Sequence, residues 1–348
     1  MGSIDGLLLT LLTCLSMMKD KTIDSRDYLR NYQNDHKCTS LDAFIDNYPT
    51  HTAYSHVVTV ATQALTPHLL SAVLLDLANY FSPASVRFHH LHKAFGEDVI
   101  QIRGTLRDSD NAEINKLIGE VSDRYAIDLG LQASQPSLST PGLLVMDMDS
   151  TVISIECIDE IAKLANVGEE VAEVTAKAMR GEIAFNESLI HRVACLKNIP
   201  ETALIQIRDS LPLMPGVQSL ITTLKANNWK LAIASGGFTY FADYLKERLG
   251  LDFAISNTLE VKNGALTGEV IGPIVNAEVK AETITSLARQ WQIPHSQTAA
   301  MGDGANDLLM MAQSALGVAC HAKPVVNEKA SVAIRRGHLH SLLYFLDE

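Results

Sequence analysis

Four short apolar runs constrain the fold of this 348-residue chain more than any other feature. They are LLVMD ending at Asp147, KLAIAS ending at Ser235, TAAMGD ending at Asp303, and ALGVA at residues 315–319. A strand with one face in water alternates apolar and polar residues. An unbroken apolar run suits a strand covered on both faces, as in a parallel sheet. Helical periodicity fills the spaces between, in GVQSLITTLKANN, GFTYFADYLKERLG and KAETITSLARQWQ. Such alternation predicts a doubly wound, Rossmann-like α/β domain with its chemistry at the carboxyl ends of the strands. One insert breaks the pattern. From about residue 156 to 212 the text reads helix after helix with no strand, which predicts a small helical cap over the first strand's loop.

The N-terminal part reads differently. From about 50 to 132 the order is SHVVTVA as a strand, TPHLLSAVLLDLANYF as a helix, SVRFHHL and DVIQIRGTL as strands, DSDNAEINKLIGEVSDRY as a helix and AIDLGL as a last strand. That β-α-β-β-α-β order predicts a smaller α+β, ferredoxin-like domain. The Ser- and Pro-rich SQPSLSTPG, residues 134–142, is the linker candidate. The expected division is therefore 1–135 and 136–348, two domains in a chain long enough for two cores.

A net charge of −12 argues against nucleic-acid or anionic-membrane partners, which need a basic face. It leaves room for an anionic small molecule bound at a local positive site. The five cysteines, Cys14, Cys38, Cys157, Cys195 and Cys320, are odd in number and show no CxxC spacing, so free thiols in a reducing compartment are expected. Gly6–Met18 is apolar, but it lacks a basic leader and is too short to span a bilayer; a packed helix is expected. A cytoplasmic protein follows from these readings.

The strand ends carry the chemistry. Asp147 and Asp149 would repel each other unless a cation lies between them, and magnesium, a hard ion that takes oxygen ligands, answers that need. A carboxylate can also attack phosphorus. Ser235 with Gly236 and Gly237, read as opening a helix, would form an anion cradle of hydroxyl and backbone N–H groups. Lys280, read at the start of a helix, could hold phosphate and screen it from Asp147. In GDGAND, Asp303 can ligate a metal, and Asp307 can hold metal-bound water or Lys280. Taken singly, each piece has a plainer reading: an acidic loop with a helix cap, a glycine turn, a solvated lysine.

Together and in this order, DxDx(S/T), Ser after a strand, Lys, then GDGxND, they resemble the haloacid dehalogenase-like superfamily over roughly residues 142–346. DMDSTVISIECIDEIA, AMRGEIAFNESLIHRV, IASGGFTYFA and GDGANDLLM are similar to segments of the phosphoserine phosphatase family. The resemblance implies hydrolysis of O-phospho-L-serine to L-serine and phosphate through an aspartyl-phosphate, the last step of serine biosynthesis. It implies Asp147 as nucleophile and Asp149 as general acid and base. It implies Mg2+ on Asp147, Asp303 and the backbone carbonyl of Asp149, and phosphate on Ser235, Gly236, Lys280 and Asn306. In the cap it implies Glu156 on the substrate ammonium, Arg192 on its carboxylate, and Met179 and Phe185 excluding water, roles that suit their chemistry. The N-terminal domain resembles the ACT type by element order alone, which implies regulation or the contacts of a homodimer. The rivals are a superfamily phosphatase with another substrate and an amino-acid-sensing or scaffold protein with a spent site.

Overall fold

The computed structural model describes residues 41–46, 54–107, 111–180 and 182–348; the Gly6–Met18 stretch, Cys14 and Cys38 lie outside the described residues. A short helix α1 (Leu41–Asp46) precedes the first sheet. That sheet is made by β1 (His56–Thr62), β2 (Phe81–Phe88), β3 (Asp98–Leu106) and β4 (Asp128–Gln132), with α2 (Pro67–Leu77) between β1 and β2 and α3 (Asn111–Tyr125) between β3 and β4. The element order is the expected one. The spatial order is β2-β3-β1-β4, with every pair antiparallel.

Local chemistry sets these limits. Thr66 caps α2 by accepting from the Leu69 N–H at 3.1 Å, and Pro67 opens the helix where no N–H is needed. The strand β2 begins at Phe81, four residues earlier than SVRFHHL implied. Pro83 is tolerated there because β2 is an edge strand, and its register shifts between Pro83 and Ser85. Leu70, Val73, Leu74 and Leu77 of α2 bury one face of the sheet against Val58, Val60, Ile100 and Ile102.

The second sheet contains β5 (Leu143–Met146), β6 (Lys230–Phe238), β7 (Phe253–Lys262), β8 (Ala265–Ile271), β9 (Thr298–Gly302), β10 (Leu316–Cys320) and β11 (Val332–Ile334). Its order is β11-β10-β9-β5-β6-β7-β8, parallel except for the β7–β8 hairpin. The apolar runs divide as a period of two demands. Leu144, Met146, Leu231, Ile233 and Met301 enter one core, and Leu143, Val145, Ala232, Ala234 and Ala300 enter the other. Four helices follow β5 without a strand: α4 (Cys157–Leu164), α5 (Gly168–Met179), α6 (Phe185–Cys195) and α7 (Glu201–Asp209). The remaining helices, α8 (Val217–Ala226), α9 (Thr239–Leu249), α10 (Ala277–Gln290), α11 (Leu308–Ala312) and α12 (Pro324–Lys329), cover the sheet.

Other features also depart from expectation. The glycines after Ser235 do not open a helix: β6 continues to Phe238 and α9 begins at Thr239, because Phe238 still pairs with Asn257 of β7. Lys280 lies one turn inside α10, whose cap is Asn276. The β7–β8 hairpin and the three-residue β11 were not anticipated. The hairpin turns at Asn263 and Gly264, with φ of 55° and 76°. It also holds the cap, since the Asn198 N–H donates to the Leu266 carbonyl at 2.8 Å and the Glu201 N–H to the Gly264 carbonyl at 2.9 Å.

Candidate active site

The strand order puts β5 between β9 and β6, so their carboxyl ends bring Asp147, Asp303 and Ser235 side by side. Asp147 is buried immediately beyond β5, its N–H donating to the Met301 carbonyl at 2.9 Å. Its Oδ1 accepts from the Met148 N–H at 2.8 Å and pairs with Lys280 Nζ at 2.9 Å. Oδ2 makes no hydrogen bond among the described residues.

Lys280 is 1% exposed and also donates to Asp307 Oδ1 at 2.7 Å. Burial alone would lower its pKa, yet the Asp147 and Asp307 carboxylates hold it above the ordinary lysine value, so it stays charged. Asp307 is fully buried, and its Oδ2 accepts from the Gly304 N–H at 3.0 Å. Asn306 folds back over Gly304, where a Cβ would collide with its Oδ1.

Oxygens of Asp147, Asp303 and Asp307 all lie within 4.8 Å of one another, an arrangement that could hold a metal ion. Burial, then the charges of Asp147, Asp307 and Glu156, push Asp303 up to about 7. Such crowded carboxylates form an oxygen-rich site with excess negative charge, which fits a hard divalent cation. With both oxygens engaged, Asp307 is less free to ligate than Asp147 or Asp303. Thr151 Oγ1 donates to Asp303 Oδ1 at 3.3 Å.

Asp149 is buried beside this cluster, with Oδ1 accepting from the Cys157 N–H at 3.4 Å. Burial pushes its carboxyl well above the ordinary range, and the Glu156 and Asp147 charges act in the same direction. Such a group retains a proton that it can give. The Gly237 N–H donates to Ser235 Oγ at 2.9 Å. A Cβ on Gly237 would lie 2.8 Å from Asp149 Oδ2, so only glycine lets this strand end approach so closely.

The cap closes over the same point. A Cβ on Gly236 would lie 2.9 Å from Cζ of Phe185, the first residue of α6. Glu156 stands at the rim, its Oε1 accepting from Ser150 Oγ at 2.7 Å. The half-buried Arg192 faces the charges of Asp159, Glu156 and Asp149, and its Nε has no hydrogen-bond partner among the described residues. Met179 ends α5, and its side chain lies outside the described residues. The sequence reading singled out neither Ser150, which holds Glu156 from a left-handed φ of 56°, nor Thr151, although both belong to the DMDST motif it used.

Fold and site together define a haloacid dehalogenase-like hydrolase, and the family model of that description matches residues 142–314. The chain belongs to the phosphoserine phosphatase family. It is 58% identical over 241 residues to the phosphoserine phosphatase of Vibrio cholerae, a match covering 67% of this chain and 74% of that one. The unliganded crystal structure of a Vibrio cholerae protein attributed to the same activity superposes with a TM-score of 0.71 at 42% identity, over 88% of this chain and 93% of that one. A substrate-bound phosphoserine phosphatase complex superposes with a TM-score of 0.57 at 37% identity, over 60% of this chain and 99% of that one. No helix among the described residues is long and apolar enough to cross a membrane.

Proposed function

We propose that this chain hydrolyses O-phospho-L-serine to L-serine and phosphate, the last step of serine biosynthesis, with Asp147 carrying the phosphoryl group between two half-reactions. The observation that carries the reading is the state of Asp147: one oxygen is fixed by a buried lysine, and the other is unengaged at the centre of the strand ends. An Asp147 oxygen attacks phosphorus and the bond from phosphorus to the serine oxygen breaks. Asp149 gives its proton to that departing oxygen. A water then attacks the phosphoryl group and passes a proton to Asp149, which releases phosphate and restores Asp147. Ser235, Gly236, Lys280 and Asn306 hold the phosphate oxygens. The protein acts mainly by positioning and by charge placed in advance.

Asp147, Asp303 and the backbone carbonyl of Asp149 are the groups that would hold Mg2+, with Asp307 supporting through Lys280. The ion, when bound, supplies positive charge against the phosphate and the carboxylates around it. Specificity comes from the cap. Glu156 pairs with the ammonium of the substrate and Arg192 forks onto its carboxylate, while Phe185 and Met179 exclude water.

We read residues 1–135 as an ACT-like domain and 136–348 as the catalytic domain, a division supported by the change of sheet between β4 and β5. A cytoplasmic location and a homodimer built through the N-terminal domain complete the reading.

The test is phosphate release from phosphoserine, its D-isomer, phosphothreonine, phosphoethanolamine and a sugar phosphate, with Mg2+ and with chelator. Mg2+-dependent preference for phosphoserine is expected. Arg192→Lys should lower kcat/KM for phosphoserine by about 10- to 100-fold while changing phosphoethanolamine little, since that ester has no carboxylate to grip. Activity on the other esters with little on phosphoserine would keep Asp147 in place and remove the roles of Glu156 and Arg192.

A further inference from the structure

Asn257 in β7 is at 0% exposure, an amide wholly enclosed in the protein. Its two polar ends are both used. Nδ2 donates to the Gly236 carbonyl at 2.8 Å, and Oδ1 accepts from the Val275 N–H at 2.8 Å. An acceptor on one side and a donor on the other fix the amide in a single orientation. The first bond exists because β6 leaves the ladder: its register with β7 breaks between Ala234 and Phe238, so the Gly236 carbonyl loses a strand partner inside the protein. The second bond acts at the entry to α10. Val275 precedes Asn276, the residue that caps α10 by accepting from the Val279 N–H at 3.1 Å, and Lys280 lies one turn further on.

We propose that Asn257 is a positioning residue for phosphoryl transfer: its side-chain amide ties the Gly236 limb of the phosphate cradle to the α10 entry that carries Lys280. The two limbs come from different strand ends and are adjacent, since a Cβ on Gly236 would lie 3.8 Å from the Val275 carbonyl oxygen. The Asn257 side chain bonds to both limbs, while no cap residue bonds to it among the described residues. Its loss therefore loosens the grip on phosphate and leaves recognition of the amino-acid end intact. The inference rests on the phosphatase reading above.

The experiment compares the full-length parent with Asn257→Asp and Asn257→Ser. Asn257→Asp keeps the shape and the acceptor for Val275 but removes the donor to Gly236. The readouts are thermal melting, kcat and KM for phosphoserine, inhibition by inorganic phosphate and orthovanadate, and the preference for phosphoserine over phosphoethanolamine. The folded Asn257→Asp variant should lose about 10- to 100-fold in kcat and bind orthovanadate about tenfold more weakly, with its substrate preference unchanged. A merely structural role would lower the melting temperature and leave those ratios alone. Kinetics and orthovanadate inhibition within about twofold of the parent would overturn the assignment. So would loss of the fold in both variants, which would make Asn257 a core residue and nothing more. A parent that releases phosphate from no ester sinks the functional reading and this inference with it, whereas an active parent with unaffected variants sinks this inference alone.

Discussion

The two sheets of this molecule solve the same burial problem in different ways. The seven-stranded sheet is covered on both faces by apolar side chains, and its buried charge is gathered where its central strands end. The four-stranded sheet buries one face under its own helices, but its other face is covered by the end of the chain. There Tyr344 packs on Ala61 and Val99, and Gly130 is so close to Phe345 that a Cβ would fall 2.5 Å from its ring. Several charged groups inside this junction have partners. The Asp128 carboxylate accepts from the backbone N–H groups of Arg335, Arg336 and Gly337 at 2.7, 2.9 and 2.7 Å, and Glu97 accepts from Tyr344 Oη at 2.7 Å. At the strand ends, by contrast, carboxylates crowd together with Lys280 as the buried counter-charge, and Asp303 is pushed up to about 7 by burial and its neighbours. Satisfied polar groups hold a structure together, whereas crowded, partly compensated ones are poised for chemistry.

Substitutions should therefore separate the two regions, and the largest effect belongs to the strand ends. Asp147→Asn should reduce phosphoserine hydrolysis by about 10⁴-fold or more. Its thermal stability should stay close to that of the parent, because the amide keeps the shape. Ordinary turnover in that variant would remove Asp147 from the chemistry. The converse case is Asp128→Asn. An amide cannot accept from all three backbone N–H groups, so the variant should lose about 2 kcal/mol of stability. Its kcat should hold wherever the protein remains folded. A thermal melt unchanged from the parent would show that the nest at 335–337 finds other partners; a large fall in kcat would erase the distinction drawn between the regions.

The same contrast explains what could be read from the sequence. Strands β5, β6, β9 and β10 were legible because burial on both faces writes an unbroken apolar run, and the acidic and glycine motifs sit directly on their ends. Lys280 was legible only through its place in the ordered set, since its helix gives no local sign that the side chain turns inward. What failed was set at long range. Gly236 and Gly237 read as a helix start, but pairing of Phe238 with Asn257 holds them extended. Asn257 itself carries no local sign, since Ser256, Thr258 and Glu260 share its strand. The Asn263–Gly264 pair, by contrast, is a hairpin signal written in the sequence. The Ser- and Pro-rich 134–142 segment does connect the sheets, yet composition could not reveal how it is pinned. The Ser137 N–H donates to Gln297 Oε1 at 2.7 Å, the Leu138 N–H to the Asp347 carbonyl at 2.8 Å, and Trp229 Nε1 to the Leu138 carbonyl at 3.1 Å. All three partners are remote in sequence.

An effect felt only under acid concerns the same junction. His89 is 2% exposed; its Nδ1 accepts from the Leu91 N–H at 3.1 Å, so Nε2 carries the proton and donates to the Leu346 carbonyl at 3.2 Å. A second proton would have to displace the Leu91 bond. Burial, with the charge of His90 next, lowers its pKa from the usual 6.5 to about 4; Arg87 adds to this, and Asp347 opposes it. Between those two values the unfolded chain binds a proton that the folded chain refuses. Stability is therefore unaffected by this group above 6.5, falls as pH drops through the window, and levels off below about 4. The loss is bounded at about 3 kcal/mol, at 1.36 kcal/mol per unit. Melting temperature measured across this range in parent and His89→Gln should give a shallower acid slope in the variant. Equal slopes would place the acid sensitivity on other groups, such as the carboxylates of the strand ends or the buried Asp128 of the junction itself.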